Sequence, residues 1–76
     1  MTFADTLDNA MYSHRELKVA TKSRGMIIGV PYCVDEYDSD PDRLGYCLQT
    51  GENEEVTVYL DEIIGIEITD KVRAAI

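Results

Sequence analysis

The stretch Val56-Thr57-Val58-Tyr59-Leu60-Asp61-Glu62-Ile63-Ile64-Gly65-Ile66-Glu67-Ile68 constrains the fold of this chain more than any other. Apolar residues alternate on both sides of an acidic corner, Asp61-Glu62, the pattern of two short strands joined by a sharp break. Val56, Val58 and Leu60 define a strand over about 56–60. Ile64, Ile66 and Ile68 define another over about 63–68, followed by a tail, 69–76, that reads as a short helix or a frayed end.

The same alternation recurs upstream. Leu17, Val19 and Thr21 alternate with Lys18, Ala20 and Lys22, giving a half-buried strand over about 17–22 with its lysines outward. Ser23-Arg24-Gly25 supplies a tight turn. In the strand expected over about 26–34, Met26, Ile28, Val30, Tyr32 and Val34 share one face, and Ile27, Gly29, Pro31 and Cys33 the other. Gly29 and Pro31 predict a bend or bulge, because proline cannot donate to a ladder and glycine permits close approach. Leu44, Tyr46 and Leu48 mark a strand over about 44–49, and Gly51-Glu52-Asn53 the next turn. Tyr32 and Tyr46 are expected to add to the core with their hydroxyls at its rim.

Before the strands comes a helix, read over about 3–14. Thr2 and Asp5 have the spacing of a capping box, and Phe3, Leu7, Ala10, Met11 and His14 fall on one face. The stripe is narrow, so the helix should lie across the sheet. One helix followed by five short strands, the second bent, predicts a mainly β domain: a small five-stranded antiparallel barrel of Sm-like or SH3-like type, with a helix packed on an open sheet as the alternative.

The 76 residues make one domain, 1–76. A chain this short buries only about 60% of its unfolded surface, so self-association is a natural source of stability. No secretory leader is visible, and no apolar run approaches the roughly 18 residues of a membrane span. The expected location is cytoplasmic, with Cys33 and Cys47 both free in a reducing environment.

The net charge of −8 is unevenly distributed. His14, Arg15, Lys18, Lys22 and Arg24 stand against one acid, Glu16, whereas the twelve acids between Asp35 and Asp70 meet one base, Arg43. An acidic body repels phosphate backbones and suits a basic protein partner. Arg15, Lys18, Lys22 and Arg24 are the candidate anion or nucleic-acid strip; the plainer reading is lysines that keep an outer strand soluble.

Gly29-Val30-Pro31, then a polar loop, then Leu44-Gly45-Tyr46-Cys47-Leu48, then Val58-Tyr59-Leu60-Asp61-Glu62-Ile63, resembles the order of elements in WYL domains of bacterial regulators, which are Sm-like barrels. The corner also resembles that of the small Rho-inhibiting antitermination regulators. The first resemblance implies a ligand-sensing or nucleic-acid module; the second implies a protein that occludes a basic channel on its partner. The Trp-Tyr-Leu triplet is absent, and Glu62 stands where WYL domains usually carry arginine.

The acidic loop holds Asp38, Asp40 and Asp42 at the alternating positions of the first calcium-loop ligands. Counted from Asp38, however, the sixth and twelfth positions are Arg43 and Gln49, where an EF-hand needs glycine and glutamate. A solvated connector is the better reading. Tyr37 with Asp35, Glu36, Asp61 and Glu62 forms the candidate protein-contact set. A single histidine, His14, offers neither a triad nor a metal set, and the serines lack a nucleophile elbow. The expectation is therefore a non-enzymatic regulatory module without cofactor, bound to a protein partner or to its own copies, with no membrane contact. Nucleic-acid binding and WYL-type ligand sensing are the alternatives.

Overall fold

The computed structural model describes residues 2–36 and 44–72, the side chains of Glu36 and of residues 70–72 excepted. A helix, α1 (Phe3–Ser13), precedes strands β1 (Arg15–Thr21), β2 (Gly25–Glu36), β3 (Leu44–Gly51), β4 (Glu54–Tyr59) and β5 (Ile63–Val72), with a 3-10 turn, Leu60–Glu62, before the last. The five strands form one antiparallel sheet in the order β4-β3-β2-β1-β5.

α1 begins as its sequence predicts. Thr2 Oγ1 accepts the Asp5 N–H at 3.1 Å, and Asp5 Oδ2 accepts the Thr2 N–H at 3.2 Å. It ends at Ser13 because His14 turns left-handed, with φ 55°. Leu7 and Ala10 are its buried residues, a stripe as narrow as expected.

β2 organises the sheet. Residues 25–29 pair with β1 and residues 30–36 with β3, so one strand serves two ladders and bends between them. At the bend a Cβ on Gly29 would lie 2.7 Å from the Gln49 carbonyl oxygen and 3.2 Å from Leu48 Cβ. No side chain fits there. A register shift between Pro31 and Cys33 then leaves Tyr32 as the extra residue.

One core cluster, Leu7, Ala10, Leu17, Val19, Tyr46, Leu48, Val58 and Ile63, draws on α1, β1, β3, β4 and β5. The sheet therefore wraps round a single interior. It does not close: β4 and β5 stand at opposite ends of the order, and no ladder joins them among the described residues. Hydrogen bonds from the β1–β2 turn span that seam instead. Arg24 Nη2 donates to the Thr57 carbonyl and to Glu62 Oε1, both at 2.7 Å, and the Lys22 N–H donates to the Glu62 carbonyl at 3.0 Å.

Three sequence expectations are corrected. Tyr32 is 46% exposed rather than in the core, because the bulge at Pro31–Cys33 turns it out of the ladder. On β5 it is Ile63 that is buried, while Ile64 and Ile68 are exposed. For Ile64 the cause is a register irregularity in which Ile63 pairs with Thr21 and Gly65 with Ala20, so Ile64 is skipped. The chain from 69 to 72 continues β5, with Val72 opposite Arg15, rather than forming a helix or fraying. Residues 73–76 lie outside the described residues.

Candidate functional site

Register places side chains on the sheet's two faces. Leu17 opposes Gly29 and Ile68, and Val19 opposes Ile27 and Ile66; these rows look inward. Lys18 opposes Ile28 and Glu67, and Ala20 opposes Met26 and Gly65; these rows look outward. Directly opposed residues share a face, so Met26 and Ile28, 56% and 43% exposed, stand together on the outer surface. Tyr32 is a further exposed residue of β2, and Ile64 lies on the end strand β5, with β1 between the two.

Ile68, on the inward row but 54% exposed, lines a groove of about 260 Å³ with Thr6, Asn9, Ala10, Ser13 and Arg15. Its inward position is uncovered because α1 ends at Ser13. A second, polar hollow of about 470 Å³ is lined by Tyr32, Gln49, Asn53, Glu54 and Glu55.

The four cations of the anticipated strip are not a free row. The Arg24 guanidinium is committed to Glu62, with Nε at 2.9 Å and Nη2 at 2.7 Å from one carboxylate oxygen. Arg15 Nη1 donates to the Thr69 carbonyl at 3.4 Å. Lys18 faces outward opposite Glu67, and Lys22 is exposed in the turn that follows β1. Of the anticipated contact residues, Asp35 is exposed opposite Gly45, Asp61 is exposed in the 3-10 turn, and Glu62 is half-buried against Arg24. Glu36 opposes Leu44 through its backbone. Tyr37 and the candidate calcium ligands Asp38, Asp40 and Asp42 lie outside the described residues. Among the described residues no group of three or more His, Cys, Asp or Glu side chains is arranged to hold a metal.

Two arrangements lay beyond the sequence reading. Tyr46, 2% exposed, donates from its hydroxyl to Asp8 Oδ1 at 2.7 Å, tying β3 to α1. Burial first, then the Asp8 hydrogen bond and carboxylate charge, push this phenol up to about 12. Cys33 and Cys47 are direct partners across β2 and β3. A sequence signal for the second existed: both cysteines stand seven residues from Asp40, the centre of the connector, as a symmetric hairpin requires.

Comparison with family models, with curated proteins and with solved structures returned no match. No helix among the described residues is long and apolar enough to cross a membrane.

Proposed function

We propose that this chain is a non-enzymatic binding module of the cytosol that acts by docking a protein, or further copies of itself, along β5 and the adjoining outer surface. The observation that carries the reading is a set of large exposed apolar side chains in a chain with net charge −8: Met26 and Ile28 together on the outer face of β2, Tyr32 further along that strand, and Ile64 and Ile68 on the end strand β5. Adjacent exposed apolar side chains such as Met26 and Ile28 mark contact sites more than scattered residues do. β5 adds backbone groups, since it ends the strand order and has β1 as its ladder neighbour on one side. An end strand of this kind accepts an added strand, with main-chain hydrogen bonds supplying affinity.

The strand order and the bent, doubly paired β2 support a finer description as an open Sm-like or SH3-like barrel. They do not choose among the functions such folds serve. Nucleic-acid binding through residues 15–24 is less favoured, because Glu62 neutralises Arg24 and Glu67 stands opposite Lys18.

The test compares the full chain with an Ile64→Lys/Ile68→Lys variant whose fold is verified by circular dichroism. Light scattering over a concentration series reads self-association, and capture from nuclease-treated host lysate reads partners. Association present in the wild type and lost in the variant supports the reading. Capture that vanishes with nuclease and falls steeply with salt would overturn it.

A further inference from the structure

The chain's two cysteines share a ladder position: Cys33 on β2 opposes Cys47 on β3. Both are free thiols, Cys33 half-buried and Cys47 buried. Directly opposed residues of an antiparallel pair have Cα atoms about 4.5 or 5.5 Å apart, and both values fall within the roughly 4.4–6.8 Å of disulfides. Their side chains also project from the same face. On β4, Thr57 opposes Cys47, and its Oγ1 lies 3.7 Å from the Cys47 sulfur, so Cys33, Cys47 and Thr57 form a row across three strands. The ladder beyond Cys33 is regular, through Val34–Tyr46, Asp35–Gly45 and Glu36–Leu44, while the bulge at Tyr32 provides slack on the other side. The strands are already in place for a bond.

We propose that Cys33 and Cys47 form a reversible oxidation site that closes to a cross-strand disulfide by exchange with a small-molecule disulfide. Cys33, the more exposed, reacts first. Its thiolate attacks one sulfur of the small disulfide, breaking that bond and releasing one thiol. The Cys47 thiolate then attacks the Cys33 sulfur of the mixed disulfide and releases the second thiol. The two cysteines lose two electrons and two protons, and the small disulfide gains both as two thiols.

Burial, together with the neighbouring Cys47, pushes the Cys33 thiol up to about 11. Because the thiolate is the nucleophile, exchange is slow near neutral pH and accelerates with alkalinity. The site therefore answers sustained oxidation rather than acting as a fast catalyst. Closure links the two ends of the acidic connector and braces β2 beyond its bend.

The test equilibrates the full chain with mixtures of oxidised and reduced glutathione at pH 7 and pH 9, followed by acid trapping. Intact mass, non-reducing peptide mapping and thermal melting are then read. The expected product is a monomer lighter by two hydrogens, with the Cys33 and Cys47 peptides linked, formed faster at pH 9. Its melting temperature should be higher by roughly 5 °C or more, and a dithiol reductant should reverse it. Cys47→Ser should stop at a stable glutathione adduct on Cys33. The wild-type time course should show that adduct only transiently, which tests the same step without a variant. A persistent adduct on wild-type Cys33, disulfide-linked dimers, two unreacted thiols, or a lower melting temperature after closure would each overturn the proposal.

Discussion

Arg24 and Glu62, thirty-eight residues apart, close the gap between the two ends of the sheet. Two guanidinium nitrogens share Glu62 Oε1, while Glu62 Oε2 accepts the Tyr59 N–H at 3.3 Å and the same arginine takes the Thr57 carbonyl. An exposed ion pair alone contributes about 0–1 kcal/mol. The Arg24 side chain is 42% exposed, but its further hydrogen bond to the Thr57 carbonyl on β4 raises its worth. A double-mutant cycle with Arg24→Ala and Glu62→Gln, followed by urea unfolding, should give a coupling of about 1 kcal/mol. A coupling near zero would mean that the seam is held by the core alone.

Gly29 tests the bend of β2. Its missing side chain is required by the Gln49 carbonyl at 2.7 Å, which is backbone and cannot swing aside. Gly29→Ala should destabilise the fold by about 1–3 kcal/mol, the usual cost of overpacking. Gly65→Ala, where a Cβ meets nothing within 4 Å, serves as the control and should change stability little. Equal effects of the two in chemical denaturation would show that the close approach is not what constrains position 29.

The elements themselves were legible because local chemistry and tertiary demand agree. Thr2 and Asp5 cap α1, Leu17, Val19 and Thr21 alternate inward, and Asp61-Glu62 breaks the chain at a 3-10 turn. The faces of β2 and β5 were not. A bulge shifts the inside–outside alternation without leaving a mark in composition, so Tyr32 and Ile64 stand exposed where plain alternation turns them inward, whereas Ile68 keeps its inward row and is left uncovered where α1 ends. Met26 and Ile28 point outward because they share the row of Ala20 and Lys18, while Ile27 and Gly29 take the inward row opposite Val19 and Leu17. Arg24 read as a free cation because its partner is thirty-eight residues away, beyond any local spacing rule.

The helix cap should respond to acid. Hydrogen bonding from the Thr2 backbone and then its side chain holds the Asp5 carboxyl below its ordinary value of 3.8. A lowered folded value means that the ionised form favours the fold. The contribution is complete above about pH 4 and is lost as pH falls through the lowered value. Thr2→Ala removes the hydroxyl that caps the Asp5 N–H and should cost roughly 0.5–2 kcal/mol at neutral pH. Asp5→Asn should instead flatten the acid limb of stability against pH. An unchanged limb, followed by thermal melting from pH 2 to 5, would exclude Asp5 as its source.

Tyr46 carries the upper part of the alkaline limb, above the raised Cys33 thiol. Its phenol is held neutral by burial and by the Asp8 carboxylate, which raises the folded value to about 12 against an ordinary value of 10.0. Here the sign is opposite to that of Asp5. The unfolded chain releases this proton first, so the stabilisation is whole below about pH 10 and is lost as pH rises towards 12. A shift of this size corresponds to an order of 2–3 kcal/mol. Tyr46→Phe removes the titration together with the hydrogen bond. Asp8 is only half-buried and recovers water as a partner, so the neutral-pH cost should be about 1 kcal/mol. Between pH 10 and 12 the wild type should therefore lose stability faster than the variant, so that the two curves meet and then cross. Parallel urea-unfolding curves across that interval would place the alkaline sensitivity elsewhere and leave the Tyr46–Asp8 contact as a tie between helix and sheet without a role in titration.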